Sequence, residues 1–416
     1  MHIRALTKGH RMDKNNHLAT QGSGLSKKIF FKLLNGITHG SIQVHDVNGS
    51  YVFGNEKEKN DSIANITINH PKAYKSILME GSVGAGASYI DGYWDTDDLQ
   101  KLITMIIKND ALFNQIESPI ARFFSFMRTI NYKLKINSIR RAKENILAHY
   151  DLGNDFFKLI LDPSMMYSCA LYKPSDISLE EASQNKIRAI CNALQLKPSD
   201  HILEIGTGWG GFACFAAKEY GCKVTTTTIS EKQYLYVNEK INQLGLNHQI
   251  KLLKEDYRKL SGQYDKVVSI EMIEAVGHKY FDTFFQQCHQ LLKPGGLFFL
   301  QAIVINDQAY EAAKNEVDFI KKYIFPGGCL PSVHSISKSI ADKTTLQLLS
   351  FEDIGHHYVS TLNDWHKNLL TNKDEILAQG FTESFIRTWE FYFCYCAAGF
   401  QTNYISDIHA LWRKRR

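Results

Sequence analysis

The chain has 416 residues, 44% of them hydrophobic and 12% aromatic, with 48 basic and 43 acidic side chains giving a formal charge of +5. That length predicts one to three domains with sizeable cores. No run of 18 apolar residues marks a membrane-spanning helix. The opening MHIRALTKGHRMDK lacks the apolar centre of a signal peptide, and the eight cysteines form no CxxC pair or zinc spacing. The expected setting is therefore a reducing cytoplasm.

Basic charge is clustered. Residues 1–50 carry seven Lys or Arg against Asp13 and Asp46, and residues 118–143 carry seven more with no acid, threaded with aromatic and aliphatic residues. Such a stretch suits an anionic lipid surface and equally a packed or solvated helix. No nucleic-acid motif accompanies it.

Along the chain, SIQVHD, SYVFG and IANITIN read as strands of a first region, 1–117. GSVGAGASYIDGYW is too glycine-rich for one long helix. DDLQKLITMIIKND predicts a helix with Leu99, Leu102, Ile103 and Ile106 on one face and Asp97 as its cap. After the basic linker 118–143, a region 144–416 begins with two helical segments, ENILAHYDLGNDFFKLIL and LEEASQNKIRAICNAL. Strands HILEI, KVTTTTI, IKLLKED, YDKVVSIEM and GLFFLQAIVI follow, with helices FACFAAKEY, EKQYLYVNEKINQL and KYFDTFFQQCHQLL between them. That pattern predicts an α/β fold: a parallel sheet covered by helices, with right-handed crossovers.

The turn after HILEI carries Gly206, Gly208 and Gly211 in a GxGxxG spacing. It suits a dinucleotide, another nucleoside cofactor or a tight packing turn. A nicotinamide site asks for an acid at the tip of the second strand, but that strand ends TTTTIS. Glu204, just before the first glycine, is placed to meet the amino group of an amino-acid-bearing cofactor, and Asp256, at the end of the third strand, an adenosine. S-adenosylmethionine fits this set better than NAD. Glu271 and Glu274 follow the fourth strand, and strand period does not choose between them. No HExxH or compact His/Asp cluster points to a metal.

Several segments then carry a resemblance: HYDLGNDFFKLILDPSMMYSCALY, ILEIGTGWGG, TISEKQ, EDYRKL, VSIEMIEAVG, YIFPGGCLPS, HYVSTLNDW and WEFYFCYCAAGF. Together they resemble the cyclopropane-fatty-acyl-phospholipid synthase family, which includes mycolic acid cyclopropane synthases. The resemblance implies a class I S-adenosylmethionine-dependent methyltransferase domain of Rossmann-like fold, with a smaller lipid-associated N-terminal region. It implies methylene transfer to the cis double bond of an unsaturated acyl chain in a membrane phospholipid, with bicarbonate as the proton acceptor. Carried over by position, Cys169, Glu274, Tyr358 and Cys396 would hold that bicarbonate, the two cysteines through nearby backbone groups. Tyr150, Tyr167, Ser168, Gly206, Gly208, Thr228, Gln233 and Tyr257 would face S-adenosylmethionine. Gln301 stands where many relatives have histidine, and it cannot carry a proton charge as histidine does. That departure leaves open a methyl- or methylene-branching reaction without ring closure. Trp389, Phe391 or Tyr392 is expected to line the acyl cavity. A peripheral enzyme at the inner membrane surface, assembled as a homodimer and binding no nucleic acid, completes the expectation.

Overall fold

The computed structural model describes residues 23–54, 63–109 and 152–416. These fall into two compact units. One joins the N-terminal region to Asn315–Pro326 and Leu369–Tyr404; the other gathers the chain up to Lys314, Gly327–Asn368 and Ile405–Arg416. The sequence reading set residues 315–326 and 369–404 in the methyltransferase region; their packing groups them with the N-terminal unit. Tyr150 and the basic stretch 118–143 lie outside the described residues.

The first unit holds β1 (Ser41–Asp46), β2 (Gly49–Gly54), β3 (Ile63–Ile68) and β4 (Trp94–Asp95) in the order β2-β1-β3-β4. Alternation in β3 buries Ala64, Ile66 and Ile68, as a half-buried strand should. The helix Leu99–Lys108 is capped by Asp98, which accepts from the Lys101 N–H at 2.9 Å. Asp97, the expected cap, accepts instead from Asn65 at 2.6 Å, and Ile106 is exposed. The glycine-rich segment is helical as far as Ile90, and a kink at Gly81 (φ 56°, ψ −133°) divides the stretch Lys72–Ile90 in two, so one long unbroken helix does not form. Close packing explains part of that composition: a Cβ on Gly86 would lie 2.2 Å from a ring carbon of Phe319.

The helix Glu383–Gln401 belongs to this unit and packs on the helices Lys72–Ile90 and Leu99–Lys108. Phe391 lies 4.5 Å from Phe319 and 5.8 Å from Tyr89, ring centre to ring centre. Arg387 donates to the Tyr89 carbonyl and to Asp95, both at 2.7 Å. Trp389, Phe391 and Tyr392 are buried.

The second unit is built on a seven-stranded sheet of β5 (His201–Ile205), β6 (Lys223–Thr227), β7 (Ile250–Leu253), β8 (Tyr264–Ile270), β9 (Leu292–Ile305), β10 (Leu346–Asp353) and β11 (Ile405–Lys414). Its order is β10-β11-β9-β8-β5-β6-β7. Strands β5 to β9 are mutually parallel, and β11 runs antiparallel between β9 and β10. Ile202, Leu203, Glu204 and Ile205 of β5 are all buried, as in a strand covered on both faces. Sequence alternation found five of these strands. It missed β10, which is exposed along most of its length and has no inward-outward rhythm, and β11, whose antiparallel pairing lies outside a βα repeat. Helices Leu179–Ala193, Gly211–Tyr220, Glu231–Gln243 and Phe281–Leu291 belong to this unit; Ser178 with Glu181 forms a capping box on the first. Chain order reverses at β5, which has β6 on one side and β8 on the other. In an open α/β sheet, ligands bind at the carboxyl ends of the strands beside such a switch point. Among the described residues no helix is long and apolar enough to cross a membrane.

Candidate active site

The glycine turn leaves β5 at that switch point. Gly206, Gly208 and Gly210 all have positive φ (97°, 52° and 78°), conformations that side-chain-bearing residues avoid. A Cβ on Gly208 would meet nothing within 4 Å, so the space beside this turn is open to a ligand. Two polar atoms close in sequence to this crevice are buried without a partner: the Thr207 hydroxyl and the Tyr257 phenol. Glu204 is also buried, and its carboxylate accepts from the Thr226 hydroxyl at 2.5 Å. Burial pushes its pKa up to about 8, against the Thr226 hydrogen bond and Lys186. A carboxyl held near neutrality and orphaned hydroxyls are what a cationic, amino-acid-bearing nucleoside would satisfy. The donor set fits S-adenosylmethionine.

The other expected cofactor residues are placed unevenly. Thr228 donates to the Gln233 side-chain oxygen at 2.8 Å at the start of the helix after β6. Tyr167 packs its ring 5.0 Å from Trp365 and 5.4 Å from Phe157. Ser168 accepts from Lys186 Nζ at 2.5 Å. Asp256 lies three residues past β7, where its carboxylate is bound by Arg258 through Nε and Nη2 at 2.8 and 2.6 Å. That ion pair occupies the group the sequence reading had offered to an adenosine.

A second cluster forms where β8 and β9 meet the chain around Cys169. Glu271, the first residue after β8, accepts three hydrogen bonds. The Cys169 N–H lies 2.8 Å from Oε1, the Gln301 side-chain amide 2.7 Å from the same oxygen, and the Tyr358 hydroxyl 2.6 Å from Oε2. The other hydrogen of the Gln301 amide goes to Asp407 Oδ2 at 2.8 Å, and His409 Nε2 lies 3.2 Å from the Gln301 oxygen. Burial holds the His409 ring neutral, with its pKa lowered to about 3; with the Gln301 amide nitrogen turned to the two carboxyls, its oxygen is met by the Nε2–H tautomer. The Cys169 thiol faces the carbonyls of Ala170 and Ile354, and burial pushes it far above the range of a reactive thiolate.

Glu274 is placed differently from the expectation. Its Oε1 accepts from the Ile303 N–H at 2.6 Å, while its Oε2 is buried without a partner. Burial, and next the charge of Glu271, push its pKa up to about 8. Cys396 lies on the helix Glu383–Gln401 in the other unit, its thiol raised by burial and by Asp318.

The cluster's charge is balanced from within. Lys186 is completely buried, and desolvation lowers its pKa, opposed by Glu271, Cys169, Asp407 and Asp162 in turn. Burial raises Glu271, countered by the Tyr358 hydroxyl, the Cys169 N–H and Lys186. Asp407 is raised as well, by burial and then by the Glu271 charge. Two bare carboxylates sharing one amide repel, so one keeps its proton. With three donors converging on it, Glu271 is the better held as an anion, and the proton falls to Asp407.

Of the groups expected around bicarbonate, the Cys169 N–H and the Tyr358 hydroxyl serve Glu271, as does the Gln301 amide, while Glu274 keeps one carboxyl oxygen buried without a partner. Those three donors, taken by Glu271, are not free for a separate anion. Sequence reasoning missed Glu271 as the centre of the network, along with Lys186, Asp407 and His409. Lys186 had a signal: it shares a helical face with Ala182, Ser183, Ile187 and Ile190, all buried, and a lysine in an apolar stripe is rarely accidental. Asp407 and His409 alternate with Leu411 along the unrecognised β11.

Comparison with known proteins accords with this geometry. The family described as mycolic acid cyclopropane synthetase matches residues 137–410. The chain is 38% identical over 351 residues to a cyclopropane-fatty-acyl-phospholipid synthase of Escherichia coli, covering 84% of this chain and 87% of that protein. It is 33% identical over 354 residues to the tuberculostearic acid methyltransferase UfaA1 of Mycobacterium tuberculosis, covering 82% and 81%. Among solved structures, the mycolic acid cyclopropane synthase CmaA1 complexed with SAH and CTAB superposes with a TM-score of 0.61 at 29% identity, covering 65% of this chain and 98% of that one.

Proposed function

Because the chain belongs to the mycolic acid cyclopropane synthetase family, we propose that it is an S-adenosylmethionine-dependent enzyme that adds a one-carbon unit to the cis double bond of an unsaturated acyl chain in a phospholipid, closing a cyclopropane ring. The observation that carries this reading is the meeting, at one switch point, of a cofactor turn after β5 and a charged acid network after β8. Glu204, Thr207, Gly206, Gly208, Thr228, Gln233 and Tyr257 would hold the donor, which supplies an electrophilic methyl on a sulfonium.

An alkene is a weak nucleophile, so the protein's task is alignment and dryness. Tyr358 and Tyr167 pack their rings on Trp365, at 6.0 and 5.0 Å. Aromatic faces beside the acid network favour a passing positive charge over water. These residues, all in the second unit, form such a wall in this reading.

The acyl chain comes from a bilayer, so docking on an anionic membrane surface belongs to this reading, with the basic stretch 118–143 as its carrier. The test is incubation of unsaturated phospholipid vesicles with methyl-labelled S-adenosylmethionine, followed by proton NMR of the lipid. High-field cyclopropane resonances are expected. Label only in amines, oxygens or thiols of soluble compounds would overturn the reading. A second reading, methyl or methylene branching of the same double bond, is favoured by the similarity to the methyltransferase UfaA1. Mass does not separate a ring from a methylene branch, but the same spectrum does.

A further inference from the structure

Three donors that an external anion could use converge instead on one side chain of the protein. Glu271 Oε1 takes the Cys169 N–H and the Gln301 amide, and Oε2 takes the Tyr358 hydroxyl. We propose that Glu271 is itself the proton acceptor of the reaction, so that this chain carries its base covalently and needs no bicarbonate. The inference rests on the one-carbon transfer to a lipid alkene argued above.

A second observation points to the same residue. Glu271 has φ 45°, the left-handed region that glycine prefers and a charged side chain enters at a cost. Its N–H donates to the Gln301 carbonyl at 2.9 Å, which fixes that backbone while Gln301 holds the carboxylate. Glycine would be the relaxed choice here. A strained glutamate whose carboxylate gathers three donors has its side chain as its reason.

The surrounding charges suit a base. Lys186, buried at Ser168, offsets one negative charge. Asp407, bound to the same Gln301 amide, keeps its proton. Glu274, bonded to the Ile303 N–H, is the third acid of the cluster, and His409 is neutral. One ionised carboxylate in a dry, hydrogen-bonded frame remains, and it is Glu271.

The step balances. The π pair of the double bond forms a bond to the donor's methyl carbon as the carbon–sulfur pair withdraws onto sulfur, which leaves as a neutral thioether. Positive charge then sits on the neighbouring acyl carbon. Glu271 takes a proton from the added methyl, and the released C–H pair bonds to the cationic carbon and closes the ring. The carboxylic acid so formed returns its proton to water between turnovers.

The test compares the wild-type chain with Glu271→Gly and Glu271→Gln on unsaturated vesicles, in buffer stripped of carbon dioxide and again with added bicarbonate. Glycine suits φ 45°, and folding of both variants is checked by S-adenosylmethionine binding. The wild type is expected to run equally fast in both buffers. In stripped buffer both variants should lose about a hundredfold or more in ring formation, the scale of a missing general base. Added bicarbonate should restore Glu271→Gly, in which the donors are freed, and leave Glu271→Gln inactive. Thioether released per ring should rise above one to one in Glu271→Gln, because cation that cannot lose its proton to a base is captured by water. A wild-type rate that falls when bicarbonate is removed, or full-rate ring formation by Glu271→Gly without it, would overturn this inference and leave the proposed function standing. No lipid product from the wild type in either buffer would sink both.

Discussion

Tyr358 and Glu271 are 87 residues apart in sequence, and their side chains meet at 2.6 Å, hydroxyl to carboxylate. Tyr358 comes from the helix Gly355–Thr371 and Glu271 from the end of β8. The phenol selects one ionisation state, because a hydroxyl donated to a carboxylate stabilises the charged form.

Removing that hydroxyl should therefore weaken the base. Tyr358→Phe is expected to lower kcat by about tenfold to a hundredfold, the size of one hydrogen bond to a charged group. With its donor lost, Glu271 holds its proton to higher pH, so the acid limb of the pH–rate profile should move upward. A profile that keeps its acid limb in place would contradict the assignment.

Glu204 predicts a proton count. Its pKa in the free protein is raised to about 8 by burial, so it is mostly protonated at pH 7. An ammonium group bound beside it favours the carboxylate. Cofactor binding at pH 7 should thus release close to one proton, read by calorimetry in buffers of different ionisation enthalpy. Glu204→Gln should abolish the release and weaken binding by about tenfold or more.

Glu274 gives a stability test with a definite sign. Its pKa is raised by burial from 4.5 to about 8 in the folded chain. Between those values the native state holds a proton that the unfolded state has lost. Stability therefore falls as pH rises through that window, at up to about 1.4 kcal/mol per pH unit from this group. Glu274→Gln should flatten that decline in urea denaturation between pH 5 and 8, by roughly this slope. An unchanged slope would mean that Glu274 ionises as freely folded as unfolded.

In the first unit, Gly86→Ala should cost about 1–3 kcal/mol, since the new methyl overlaps the Phe319 ring. Phe319→Ala should relieve most of that penalty in a double-mutant cycle, because the two changes share one contact. Additive losses would show that the helix tolerates a methyl there.

The basic stretch 118–143 predicts salt-sensitive adhesion. Full-length protein should bind anionic vesicles at low ionic strength and release as salt rises, because exposed charges are screened beyond about 8–10 Å near physiological salt. Substituting Arg140, Arg141 and Lys143 with glutamine should weaken low-salt binding. Binding indifferent to both would remove this stretch from the docking surface.

Much of this was legible from residue order alone. Apolar runs such as Leu297–Leu300, helices between strands, and a glycine turn opening the first of them fix the Rossmann-like core, because those signals are local: hydrogen bonding and burial along one segment decide them. The glycine spacing and Glu204 marked the cofactor side for the same reason. Strand period had no way to rank Glu271 against Glu274, both just past the same strand, and the family pattern favoured Glu274. Folding gives the two different partners. Three donors from distant segments, Cys169, Gln301 and Tyr358, converge on Glu271, while Glu274 turns to the Ile303 N–H. The assignment of the helix Glu383–Gln401 to the first unit was equally out of reach, since its aromatic composition reads as a core without saying whose. The sequence by itself determined the five parallel strands, the helices between them and the glycine turn. Which carboxylate is charged, and what charge faces it, only the tertiary structure decided, because hydrogen bonding and desolvation act between groups that chain order keeps far apart.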